Sequence, residues 1–157
     1  MKITDIDMPR QAFIYAAIHL LSNRLQTVGN KLDPTISEKQ WFVLAAVSKY
    51  ADTPPNIGDI ANSLGTSRQN IKKIANILEQ RGFLKMKKDE NDLRNIQLFL
   101  TGKCIEYFKG REQKESEYIE RIFHGIDAEM LDNLCMGISK LVENIDALLE
   151  SGVNAER

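Results

Sequence analysis

The sequence has little of what most enzymes and metalloproteins need. Its 157 residues include only two cysteines and two histidines. Cys104 and Cys135 form no Cys-x-x-Cys pair, which argues against a disulfide framework or a thiolate metal site and leaves them expected reduced and buried. His19 and His124 lack ligand-like local spacing, so no metal is expected. A Gly-rich phosphate loop, a Gly-x-Ser-x-Gly elbow and a His-Glu-x-x-His pair are all missing, so no catalytic motif finds an anchor. The chain is therefore not expected to be an enzyme or to need a cofactor. No apolar run approaches the length that spans a bilayer, and Met1 to Asp7 lack the basic and long apolar stretches of a secretory signal. A soluble, cytoplasmic protein with no membrane partner is expected. Internal repeats and low-complexity segments are also missing.

What is present is the composition of a folded globular chain, with 43% apolar and 27% charged residues. The length suits a single domain over 1–157. A net charge of −1 conceals a strong segregation. Between Ser67 and Arg94, eight Lys and Arg face four Asp and Glu, a local charge of +4. From Thr101 to Arg157, seven basic residues face twelve acidic ones, a local charge of −5. A basic middle suits a polyanionic partner, and the acidic tail belongs to another surface.

Helical spacing of Phe13, Ala16, Ala17, Leu20, Leu21, Leu25 and Val28 predicts a first amphipathic helix, with Gly29-Asn30 following it. Ser37 and Gln40 fit a capping box, flanked by an Ile36–Trp41 hydrophobic staple, for a helix running to about Ser48. Pro54-Pro55 breaks the chain, and Asn56 can cap a short helix over Ile57 to Leu64. Gly65 supplies a positive φ at that helix's end, and Ser67 caps a new helix immediately. This second helix places Ile71, Ile74, Ala75 and Leu78 on one face and Gln69, Lys72, Lys73 and Asn76 on the other. After Arg81-Gly82, alternation at Leu84 to Lys87 and at Ile96, Leu98 and Leu100 predicts a hairpin around a polar tip. Thr101 caps a further helix expected to reach about His124. Asp127 caps a last one with an apolar stripe of Leu131, Leu134, Cys135, Ile138, Leu141, Val142, Ile145, Leu148 and Leu149. A small chain cannot easily cover that stripe alone, which favours a homodimer.

Two helices meeting steeply at a Gly-containing turn, then a hairpin, describe a helix-turn-helix with a wing. The second helix of such a unit enters the DNA major groove with its N-terminal side chains at base edges. Arg68, Gln69 and Asn70, beside the capping Ser67, are the candidate base readers, because Arg pairs bidentately with guanine and Gln or Asn with adenine. Lys72 and Lys73 suit phosphates. In the wing, Lys87 and Lys88 suit the backbone and Arg94 the adjacent minor groove, with Asp92 expected to hold the Arg94 guanidinium.

These residues, Asp59-Ile60-Ala61 through Ser67-Arg68-Gln69-Asn70, Leu78 to Phe83, Asp89 to Arg94 and Leu100-Thr101-Gly102-Lys103, resemble the MarR family of bacterial transcription regulators. Asp92-Leu93-Arg94 matches that family's Asp-x-Arg wing signature, although Leu93 stands where many members place a second arginine. The resemblance implies a mainly α fold. A winged helix-turn-helix over 36–100, with a small β-hairpin wing, would be flanked by dimerisation helices over 6–32 and 101–150. It also implies a homodimeric repressor on double-stranded DNA with a pseudo-palindromic operator, modulated by a small aromatic effector. Trp41 and Tyr15 are conceivable pocket residues, although core packing is the commoner use of such side chains, and no effector site is assigned. The competing reading is a winged-helix module that binds protein instead of DNA. Redox sensing by Cys104 or Cys135 finds little support, because reactive cysteines in the family typically lie on the first helix.

Overall fold

The computed structural model describes residues 7–50, 53–89, 92 and 94–152. Glu90, Asn91 and Leu93 of the wing tip, and Ile6 at the edge of the first helical span, lie outside the described residues. The chain forms two compact units, Met1–Gly110 and Arg111–Arg157.

In the first unit, α1 (Arg10–Leu32) begins just after Pro9, whose φ of −55° and carbonyl bond from the Phe13 N–H start the first turn. It runs on through Gly29-Asn30, which the sequence suggested as its end. Packing explains the difference. Gly29 is buried, and a Cβ there would collide with the Glu38 carboxylate. Asn30 Oδ1 accepts the Glu38 N–H at 2.8 Å, satisfying a donor at the start of the next helix. That helix, α2 (Glu38–Ser48), carries the expected reciprocal Ser37–Gln40 capping box. Ile36 is buried in the core with Trp41 packed against it.

α3 (Ile57–Ser63) is capped by Asn56, which also forms a capping box with Asp59. It ends in a Schellman turn. Thr66 N–H reaches Ala61 O, Gly65 N–H reaches Asn62 O, and Gly65 has φ +58°. α4 (Arg68–Gln80) follows, with Ser67 Oγ accepting the Asn70 N–H. Its end repeats the device at Gly82, with φ +76° and the Phe83 N–H on Leu78 O. Strands β1 (Leu84–Lys88) and β2 (Ile96–Leu100) pair antiparallel with Leu84 opposite Leu100 and Met86 opposite Leu98. α5 (Gly102–Lys109) is capped by Thr101.

Side chains from every one of these elements except α1 enclose one core. Val43, Leu44, Ile60, Ile71, Ala75, Leu78, Phe83, Leu84, Leu98 and Cys104 are almost inaccessible. Each large aliphatic or aromatic side chain buried this way contributes about 1.5–3 kcal/mol. The sequence missed one tie. Asn56 and Gln97 form an isolated bridge, and the Leu98 N–H bonds to Pro55 O at 2.9 Å, so the wing is anchored to the start of α3.

The helix expected from Thr101 to about His124 is instead two pieces, with α5 ending at Gly110. Glycine is about 1 kcal/mol less favourable than alanine inside a helix, and this one sits where the helix stops. The second unit contains α6 (Glu112–Ile122) and α7 (Ala128–Glu150), joined through Gly125 at φ +82° with Asp127 capping α7. The stripe on α7 is largely exposed, with Leu134, Ile138, Leu141, Val142, Ile145, Leu148 and Leu149 all accessible. On α1, Ile14, Tyr15, Ile18, Leu21, Leu25 and Val28 are exposed too.

Candidate nucleic-acid interface

The amphipathic division of α4 creates the candidate surface. Ile71, Ala75 and Leu78 are buried beneath it, and Ser67, Arg68, Gln69, Asn70, Lys73 and Asn76 are exposed above. Lys72 is half-buried, with Nζ 3.9 Å from Met86 Sδ. Asn70 is already engaged, because its Nδ2 donates to Thr66 Oγ1 at 3.0 Å. A bidentate contact to adenine needs that amide nitrogen, so Asn70 would have to leave Thr66 first. Among the described residues Gln69 makes no such bond.

In the wing, Lys85, Lys87 and Lys88 are exposed, and Lys87 Nζ lies 5.3 Å from the Phe99 ring centroid. Arg94 is exposed at the tip and forms no ion pair among the described residues. Asp92 plays a different part from the one its spacing suggested. Its Oδ1 accepts the Arg94 backbone N–H at 3.0 Å, and its Oδ2 accepts Asn95 Nδ2 at 3.2 Å. The carboxylate therefore holds the backbone beneath Arg94 instead of the guanidinium. Asp89 completes the loop by accepting the Asp92 N–H at 3.1 Å and Gln97 Nε2 at 2.6 Å.

Where these parts meet there is a cleft of about 260 Å³. Asn56, Ile57 and Gly58 line it from α3, Arg68, Gln69 and Lys72 from α4, and Arg94, Asn95 and Ile96 from the wing. Three cations and several amide groups border it, and no carboxylate does among the described residues. The Arg68 guanidinium lies back against α3. A Cβ added at Gly58 would stand 3.2 Å from Arg68 Nε and 3.3 Å from its Nη2. Arg68, Lys72 and Arg94 were legible in the sequence as a basic group. Gly58, Asn56 and Asn95 were not, because nothing local brings the start of α3 to the wing.

Other ionisable groups serve the scaffold. Arg81 donates to Thr35 O and to Gln40 Oε1, tying the end of α4 to the segment before α2. Lys103 Nζ donates to Arg81 O at 2.8 Å and sits over the Phe83 ring, so it finishes the C-terminus of α4. Burial pushes the Cys104 thiol up to about 11, which keeps it protonated and poorly nucleophilic. Cys135 lies exposed on α7. Among the described residues no cluster of His, Cys, Asp and Glu could hold a metal, and no helix is long and apolar enough to cross a membrane.

The MarR family model matches residues 36–96, which run from the core-facing Ile36 to the first residue of β2. The chain is 24% identical over 153 residues to the transcriptional repressor MprA of Escherichia coli, covering 96% of this chain and 87% of that one. Among solved structures, it resembles MepR of S. aureus, crystallised as a DNA complex, with a TM-score of 0.71 and 14% identity. That match covers 88% of this chain and 99% of the other. PcaV of Streptomyces coelicolor, solved with its natural ligand, gives a TM-score of 0.72 and 15% identity, covering 88% and 96%. At these identities the two structures establish likeness of fold.

Proposed function

Residues 36–96 of the chain belong to the MarR family, and on that premise we propose that the protein is a homodimeric transcription repressor binding a pseudo-palindromic operator in double-stranded DNA. The observation that carries this reading is the meeting of the polar face of α4 with the basic wing around a cleft bordered by Arg68, Lys72 and Arg94. Ser67 fixes the start of α4, Gln69 and Arg68 stand at its exposed N-terminus, and Lys73, Lys87 and Lys88 supply phosphate contacts on either side. Arg94 projects into the minor groove beside the wing. Two such units on a dimer read two half-sites about one helical turn apart.

The dimer is built from the helices over 6–32 and 101–150. The exposed apolar residues of α1 and of α7 support this, because a row of large apolar side chains left in water along one helix marks an interaction surface. Regulation follows from spacing. A small aromatic effector that changes the separation of the two α4 helices prevents both from docking together, a coupling between two sites. The likeness to MprA, a repressor, supports the sign, and the likeness to PcaV, solved with a ligand, supports the effector.

The test is selection of duplexes from fragmented genomic DNA, followed by titration of the winner and of an unrelated duplex at several salt concentrations. The expected result is selective binding that weakens steeply with salt, with a slope of about −0.9 per phosphate contact. Equal, weak binding to every duplex, alongside tight binding to an acidic protein partner, would favour the protein-interaction module.

A further inference from the structure

We infer that the cleft between α3, α4 and the wing seats one backbone phosphate of the bound duplex, with Arg68 as its principal ligand and Gly58 as the residue that positions Arg68. This rests on the reading of the chain as a DNA-binding regulator, and it gives Arg68 a task other than base recognition.

The direction of the side chain is the first argument. Arg68 opens α4, yet its guanidinium lies over Gly58 of α3. In a helix-turn-helix, the first helix crosses the DNA backbone while the second enters the groove. A guanidinium lying on α3 therefore meets the strand's phosphates before it meets base edges. The composition of the cleft is the second argument. Arg68, Lys72 and Arg94 line it with Gln69 and Asn95, and no described carboxylate does. Such a set of donors suits a tetrahedral oxyanion, and an arginine fork can bind one through two parallel bonds.

Gly58 supplies the third argument. In the short helix α3 glycine is a poor choice by propensity. A Cβ at this position would stand 3.2 Å from Arg68 Nε, so the guanidinium would have to give by a few tenths of an ångström, and 2.9 Å from Asn56 Oδ1. The absent side chain is the floor on which Arg68 lies.

The test uses the full-length protein and its selected duplex, prepared as a series with one methylphosphonate, a neutral phosphate replacement, at each position. The expected result is one position per half-site where neutralisation weakens wild-type binding by about tenfold. The same replacement leaves the affinity of Arg68→Gln unchanged. Arg68→Gln weakens operator and unrelated duplex by the same factor and lowers the salt slope by about 0.9. Gly58→Ala, which shifts the guanidinium only slightly, gives a smaller loss of the same kind, and adding it to Arg68→Gln has no further effect, with thermal melting checking the Asn56 cap.

Two outcomes would overturn the inference while leaving DNA binding intact. Arg68→Gln could relax preference at one base pair without touching unrelated DNA, which restores base reading. Gly58→Ala and Arg68→Gln could act additively. Wild-type protein that binds no duplex selectively would instead overturn the functional reading beneath it.

Discussion

Replacing Asp92 with alanine removes a negative charge from the proposed DNA surface, and simple electrostatics predicts tighter binding. At about 10 Å in water, one unit charge on another is worth about 0.4 kcal/mol before salt screens it. The hydrogen bonds point the other way. Asp92 holds the Arg94 N–H at 3.0 Å and Asn95 Nδ2 at 3.2 Å, and its own N–H is held by Asp89. Exposed bonds of this kind add little to the stability of the free protein, but a tip without them must be reordered on the DNA at about 1 kcal/mol per residue. The losses exceed the gain, so Asp92→Ala should bind the operator about three- to tenfold more weakly. Asp92→Asn keeps an acceptor for the Arg94 N–H and should fall between it and the wild type. Because the tip is exposed, unfolding free energy should change by no more than about 0.5 kcal/mol. Fluorescence anisotropy at two salt concentrations, with urea unfolding alongside, measures both. Tighter binding by Asp92→Ala would show that its charge outweighs its hold on the backbone.

Four further results are expected. The Cys104 thiol titrates at about 11 in the folded chain against an ordinary 9.0, so the folded state holds its proton more tightly. Stability should therefore fall as pH rises from 9.0 towards 11, by about 3 kcal/mol at most, and Cys104→Ala should flatten that decline in urea titrations. In alkylation at neutral pH, the exposed Cys135 should react first and Cys104 only on unfolding. Arg81→Ala should cost about 1 kcal/mol of stability through the lost bonds to Thr35 and Gln40, while leaving the salt slope of DNA binding unchanged. Ile138→Glu, on the exposed stripe of α7, should turn a dimer into a monomer at micromolar concentration in light scattering.

Much of the fold could be read from short-range chemistry. Ser37, Asn56, Ser67, Thr101 and Asp127 all cap the helices they were expected to cap, because a cap is decided within four residues. Gly65 and Gly82 stop their helices for the same local reason. The failures are positions where distant residues decide. Gly29-Asn30 looked like a helix end, yet the close approach of Glu38 keeps Gly29 inside α1 and turns Asn30 into a partner for α2. Gly110 interrupts a pattern whose apolar spacing would otherwise carry on. Pro55 and Asn56 contact β2 across about forty residues of sequence, and no periodicity records that meeting. The candidate site divides the same way. Its cations stood out by composition, while the glycine beneath Arg68 did not.

Charge counting also needed the structure to become a statement about a surface. The +4 between Ser67 and Arg94 treats all twelve charged residues alike, but they are not alike in use. Arg81 is turned onto a carbonyl and an amide at the end of α4. Among the acids, Glu79 accepts the Met86 N–H at 2.7 Å, Asp89 closes the wing loop, and Asp92 supports the residue beneath Arg94. Each of these carboxylates is fixed to backbone or amide donors of the hairpin. Arg68, Lys73, Lys85, Lys87, Lys88 and Arg94 are exposed. A duplex approaching this face therefore meets cations while the acids hold the shape that presents them. Neutralising an acid here should change the geometry of binding more than its electrostatics, whereas neutralising an exposed cation should do the reverse. The near-neutral total is thus compatible with a polyanionic partner, because affinity follows the arrangement of charge on one face and not the sum over the chain.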